Sequence, residues 1–362
     1  METTPPISRS TKIALASFGL LVSLLTLELG VRVLEVTVKP ITWSDRPYAY
    51  FLPEDAYNLQ DSKPHPKIPG RFRIAVVGDS FTFAPHMQLE DTFPKKLERL
   101  LNLNPNSQRV EVLNRGISGV STVVEEGITR EVLKEDLDLL ILQITLNDAE
   151  PGRLSPEERK RLFEAPWLHS GIWKAWKTIG LIGQRIHNSQ TVNRYIDYHT
   201  KYFKDPETYR AFSDALGSIA QRAKNAGVPL LAVVFPLFDL PINERYPLKR
   251  SHTLIARALK RHDIPGVDLR SAYENIPPER LQVIPNQDNH PNEIAHRIAA
   301  ERLLAYLIAN KLVPANVVPT RVYSERDQYR SKSLRSTEIF DIEAQHIALA
   351  DRNRKQDDME SH

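Results

Sequence analysis

Short β-branched apolar runs alternate with amphipathic stretches from residue 72 onward. Apolar runs of four to eight residues bounded by turn residues read as buried strands, and apolar positions at three-to-four spacing read as helices. The pattern predicts strands over 72–77, 110–113, 139–144, 230–235 and 267–269. Helices are expected over 92–101, 123–134, 207–225, 254–261 and 293–308. Apolar strands separated by amphipathic helices require a parallel sheet covered on both faces. The expected fold is a three-layer α/β/α sandwich with a parallel, flavodoxin-like sheet of about five strands.

Two regions break the alternation. Residues 151–204 carry Trp167, Trp173, Trp176, Tyr195, Tyr198 and Tyr202 among basic residues, between the third and fourth strands. They read as a helical insertion whose aromatics pack first and border a ligand second. Residues 313–362 turn charged and polar and read as a flexible tail with one short helix near 338–349. The main domain is thus expected over 71–312.

The amino terminus has a different pattern. Arg9 and Lys12 precede an apolar run from Ile13 to Leu27 that ends at Glu28, and apolar positions continue around Arg32 and Glu35. The run is long for a signal-peptide core and short for an ideal span. Glu28 and Arg32 are spaced to pair on one helix face. No small-x-small cleavage site follows. Residues 1–38 are read as an uncleaved membrane anchor, with a cleaved signal or a core helix as the alternatives. The basic end is then inside and the main domain on the extracytoplasmic, periplasmic side. The proline-rich stretch 39–70 is expected to act as a linker.

Composition narrows the chemistry. The 362 residues carry a net charge of +3 with no basic stripe, which argues against a nucleic-acid partner. With no cysteine, disulfides, thiolate nucleophiles and thiolate-bound zinc are excluded. No histidine cluster has metal-ligand spacing, so neither a metal nor a cofactor is expected.

The first strand ends abruptly in Gly78-Asp79-Ser80, which puts Ser80 where open α/β sheets present ligands. By itself this tripeptide reads as a helix cap. A second polar site, Asp288-Asn289-His290-Pro291-Asn292, precedes the last helix. Serine chemistry needs a base within reach and a group that holds the base's tautomer. His290 is the candidate base and Asp288 its orienter. His296, inside the last helix, reads as structural, and His86 has no evident carboxylate partner. An oxyanion also needs donors. The Ser80 amide, the loop Asn114–Gly119 after the second strand, and Asn147 after the third are the candidates.

Taken in order, these blocks resemble the SGNH, or GDSL-type, hydrolase family in its membrane-anchored bacterial form, over roughly residues 70–150 and 205–310. The resemblance implies Ser80 as nucleophile, His290 as base, Asp288 as its partner, and Ser80, Gly119 and Asn147 as the oxyanion hole. Two positions depart from the family pattern. Thr145 stands where the third block usually begins with glycine, and the aspartate lies two residues before the histidine, with Gln287 at the more frequent position. The implied activity is a serine esterase acting on O-acyl esters, with acylated cell-envelope carbohydrate as the preferred substrate given the expected location. An O-acyltransferase acting on a polysaccharide and a non-catalytic membrane-tethered module on the same fold are the alternatives.

Overall fold

The computed structural model describes residues 8–37, 61, 64–104, 107–152, 157–158, 160, 164–285 and 288–315. Most of the expected linker, and the tail from residue 316 with its expected short helix, lie outside the described residues. The described residues fall in two compact units. One draws on Met1–Ile41 and Leu154–Asp197, the other on Thr42–Arg153 and Tyr198–His362.

The larger unit is built on five parallel strands: β1 (Phe72–Gly78), β2 (Val110–Gly116), β3 (Leu139–Ile144), β4 (Leu230–Val234) and β5 (Gly266–Asp268). Their order is β2-β1-β3-β4-β5, the doubly wound arrangement that the alternation predicts. Ile74–Val77 and Leu139–Leu142 have no exposed surface, because helices cover both faces of the sheet. Right-handed crossovers put the Phe93–Leu101 helix on one face, where it packs on Glu293–Ala309. The helices Thr122–Val132, Pro206–Asn225 and Lys249–Arg261 follow one another on the other face. Arg73 is fully buried at the start of β1. It is satisfied by Glu111 at 2.7 Å and by the carbonyls of His65, Pro66 and Glu135.

Three elements differ from expectation. The helix expected at 254 begins at Lys249, because its first turn is basic and polar and shows no apolar period. Leu269 leaves β5 for a 3-10 turn capped by the Asp268 side chain. A hairpin of β6 (Gln282–Ile284) and β7 (Asp288–Pro291), too short and polar to show alternation, pairs antiparallel beside the main sheet.

Gly78 and Gly116 are register partners at the ends of β1 and β2. A Cβ on Gly78 would run into Gln143 and Thr82, and one on Gly116 into the backbone nitrogen of Phe83. The missing side chains let the short helix Ser80–Phe83 lie against the end of β2.

In the smaller unit the helix Arg9–Thr37 contains Arg9–Leu34, long and apolar enough to cross a membrane, a test that signal sequences also pass. The same unit holds the short helix Gly171–Ala175 and the helix Lys177–Lys204 as far as Asp197.

The close approach at Gly116 yields a prediction. Gly116→Ala should lower stability by about 1–3 kcal/mol, because the neighbour that must yield is backbone. Gly127→Ala, inside the Thr122–Val132 helix with open space around it, should stabilise by up to about 1 kcal/mol. Urea midpoints of the detergent-solubilised full chain measure both.

Candidate active site

Strand order brings the first three blocks together. β1 lies between β2 and β3, so the loops that carry Gly119 and Asn147 leave the sheet from the strands on either side of the one that leads to Ser80. Gly119 takes a left-handed conformation, φ 72°, which a side chain would resist. Asp79 caps the Ser80–Phe83 helix, its Oδ1 accepting from the Phe81 amide at 2.8 Å. Gln143, from β3, accepts from the Asp79 amide at 3.1 Å and the Thr82 hydroxyl at 2.7 Å, which ties the turn to the neighbouring strand. Ser80 itself is 8% exposed.

The fourth block arrives on β7, which contacts the Ser80–Phe83 helix. The His290 Nδ1 and Asp288 Oδ1 are 2.6 Å apart, and the same carboxylate oxygen accepts from the His290 amide at 3.0 Å. Two packing contacts hold this hairpin against the serine turn. The Phe81 ring lies 5.8 Å from the imidazole and stacks at 6.1 Å on Phe238. Ala84 and Met87, just after the turn, form a buried cluster with Val283 and Ile284 of β6. Asn292 then starts the last helix, its Oδ1 accepting from Ile294 and Ala295 while its Nδ2 donates to Gln282 and Arg280 carbonyls.

Electrostatics divides the histidines. Burial alone would raise Asp288, but the hydrogen bond and charge of His290, with a weaker contribution from His86, hold it below the ordinary carboxylate value. His86 is thus within electrostatic reach of the pair, although nothing in its sequence neighbours signals it. Burial lowers its own pKa. His296 accepts from the Phe93 amide at 3.1 Å, and burial, helped by Lys96 and His290, pushes it down to about 3. It is a neutral packing group.

Beneath the strand ends lies a set of buried acids in which Glu125, unmarked in the sequence, joins Asp79 and Asp148. Asp79 and Asp148 are both fully buried, and burial raises both, Asp148 the more strongly with help from the Asp79 charge. Glu125, also fully buried, is pushed far up by burial and by the charges of Asp148 and Asp79. Thr145 connects them. Its amide donates to Asp148, and its hydroxyl lies 2.7 Å from Asp79 Oδ2 and in contact with the Asn147 side-chain oxygen. The hydroxyl has one proton and both of these oxygens accept, so a chain forms when Asp79, raised by burial, is protonated and donates to the hydroxyl, whose own proton then goes to the Asn147 oxygen. A glycine at this position would offer neither bond. Among the described residues, no group of three or more His, Asp or Glu side chains is arranged to hold a metal ion.

Glu150 extends this acidic region. Burial and the Asp79 charge raise it to about 7, against the opposing Tyr198 hydrogen bond and Lys201 charge. The unfolded chain releases this proton near 4.5, the folded one near 7. The stabilisation is therefore present below pH 4.5 and lost as pH rises to about 7. Glu150→Gln should remove that loss, gaining no more than about 3 kcal/mol above pH 7 and little below 4.5. Urea midpoints of the two chains across that window give the comparison.

Comparison with known proteins identifies the family. Residues 76–298, more than half of the chain, match the GDSL-like Lipase/Acylhydrolase family. No curated protein matches the chain. A solved structure of TesA is 15% identical, covering 67% of this chain and 99% of that one, with a TM-score of 0.41. The acetyl xylan esterase AlAXEase is 14% identical over 65% of this chain and 100% of its own, TM-score 0.42. Axe2, an acetylxylan esterase from Geobacillus stearothermophilus, is 15% identical over 69% and 97%, TM-score 0.41. By the family match, the chain belongs to the GDSL-like lipases and acylhydrolases and is an ester-bond hydrolase.

Proposed function

We propose that the chain is a serine esterase that works through an acyl-enzyme on Ser80. The observation that carries this reading is the Asp288–His290 pair, 2.6 Å apart on a strand in contact with the Ser80 turn. His290 takes the proton of the Ser80 hydroxyl as Oγ bonds to the ester carbonyl carbon. The resulting oxyanion is met by the amides of Ser80 and Gly119 and by the Asn147 side-chain NH₂. When the tetrahedral intermediate collapses, the carbon–oxygen bond to the alcohol breaks and the imidazolium gives that alcohol its proton. Water then repeats the sequence on the acyl-enzyme and releases the acid. Asp288 keeps the proton of the neutral imidazole on Nδ1, which leaves Nε2 as the base.

Thr145 supports the oxyanion donor. Its hydroxyl bonds the Asn147 oxygen, which leaves the amide protons of Asn147 for the substrate.

We place the enzyme at the outer face of the cytoplasmic membrane, held there by Arg9–Leu34 with basic Arg9 and Lys12 inside. That location favours O-acyl groups on cell-envelope glycans as substrates. Release of free acid from an O-acylated envelope polysaccharide by wild type, and not by Ser80→Ala, tests it.

Two kinetic predictions follow from the geometry. In p-nitrophenyl ester assays, Ser80→Ala and His290→Ala should each lower kcat by roughly 10⁴- to 10⁶-fold. Asp288→Asn should lose less than His290→Ala by roughly one to two powers of ten. Full activity in Ser80→Ala would sink the mechanism.

Asn147→Ala should lower kcat by roughly 10²- to 10³-fold with KM nearly unchanged. Thr145→Val should cost less, and the double variant should lose little beyond Asn147→Ala, because the hydroxyl acts through that amide. Additive losses would separate the two residues.

A further inference from the structure

In the smaller unit a charged pair on the apolar helix is built into the start of another helix. Glu28, only 8% exposed, accepts from the backbone amides of Lys177 and Thr178, both at 2.8 Å, and from the Thr178 hydroxyl at 2.9 Å. Its carboxylate thereby caps the amino end of Lys177–Lys204, where unpaired N–H groups and the helix dipole favour negative charge. Arg32 bonds Glu28 at 2.8 Å and gives a second proton to the Ala175 carbonyl at 2.8 Å, at the end of the Gly171–Ala175 helix. One ion pair satisfies the end of one helix and the start of the next.

This joint fixes depth. Lys12 and Arg9 lie about 24 to 29 Å from Glu28 along the helix at the usual rise per residue. That distance is close to the thickness of a bilayer's hydrocarbon core, about 30 Å. If the basic residues stand at the inner boundary, Glu28 stands at the outer one, and the helix start that it caps stands there too.

The same segment exposes an apolar face. Trp173 packs against Gly183 and Gly180, where a Cβ would meet its ring and its carbonyl. The same helix leaves Leu181 57%, Ile182 56% and Ile186 48% exposed, and Ile172 lies uncovered nearby in sequence. Trp167 meets Trp173 edge-on at 4.8 Å, and Lys174 and Arg185 are exposed beside the apolar positions. Exposed aliphatics, tryptophans and basic residues next to a span are the composition of a helix lying in a membrane interface.

We propose that the start of the Lys177–Lys204 helix, with Ile172, Leu181, Ile182 and Ile186, inserts into the outer lipid leaflet beside the span. The inference rests on the membrane-anchored reading above. Its occupant is bilayer lipid, because the Glu28–Arg32 joint ties this face to the apolar helix itself.

The chain has no cysteine, so single nitroxide labels can be placed cleanly. Labels at Ile182→Cys and Leu181→Cys are compared with Leu20→Cys in the span and Lys224→Cys on the larger unit. The full chain is reconstituted in vesicles of phosphatidylethanolamine and phosphatidylglycerol, and collision with oxygen, which partitions into lipid, is measured against a water-soluble nickel chelate. The oxygen-to-nickel ratio at residues 181 and 182 should approach that at 20 and exceed that at 224 severalfold. Ratios at 181 and 182 equal to that at 224, with 20 in lipid, would overturn the inserted face and leave the anchor standing. A water-like ratio at 20 as well would overturn the anchor and the inserted face together. Low collision with both reagents plus dipolar broadening between labels would assign the face to a second copy and overturn the lipid assignment.

Discussion

The arrangement around Ser80 depends on how closely the turn after β1 can approach the end of β2. Gly78 and Gly116 are paired in register, and each would collide with the turn or its neighbours if it carried a methyl group. With the turn seated there, strand order does the rest: β2 and β3 flank β1, so their loops leave the sheet on either side of the strand that leads to Ser80. The sequence separation between these blocks is large, yet the topology makes them neighbours. A doubly wound sheet reverses direction between β1 and β3, and that crevice is where such folds bind ligands.

The same strand ends carry a cost. Asp79, Asp148 and Glu125 are fully buried close to one another, and burial opposes the charge of each. Asp79 accepts from the Phe81 amide, and Asp148 from the Thr122 hydroxyl and the Thr145 amide, whereas both Glu125 oxygens are buried without a hydrogen-bond partner. A neutral Glu125 is the least costly way to place a third acid there. Thr145 matters more in this setting than its size suggests, since it touches Asp79, Asp148 and Asn147 at once. The departure from glycine at this position thus adds bonds to the floor of the site.

Much of the fold was legible because β1, β3 and β4 are buried apolar runs and most of the helices between the strands show their period. β3 is found at the residues expected, and β1 and β2 begin where expected. The hairpin of β6 and β7 was not legible. Gln282–Ile284 and Asp288–Pro291 are too short and mixed to alternate, and what holds them is tertiary: Phe81 on His290, Ala84 and Met87 on Val283 and Ile284. The polar candidates were found by their spacing in blocks. Gln143 and Glu125 give no separate signal because each sits in an element whose apolar pattern explains its neighbours, and Glu150, in the loop after β3, reads as an ordinary exposed loop acid. Thr145 stands out in the sequence only as a departure; its bonds depend on side chains that meet from the ends of β1 and β3.

Glu28 and Arg32 illustrate the same limit at the amino terminus. Their spacing identifies a pair on one helix face, and in an apolar segment such a pair reads as a charge kept tolerable by its partner. The sequence holds no trace of the other three bonds to Glu28, because their donors lie about 150 residues away at the start of another helix. Those bonds change what the pair means. An ion pair that merely offsets its own burial can be replaced by apolar residues at little cost. One that also satisfies the amides of Lys177 and Thr178 and the carbonyl of Ala175 cannot, because removing it strands backbone groups at two helix ends. The acidic residue that shortens the apolar run is therefore what joins the span to the rest of its unit.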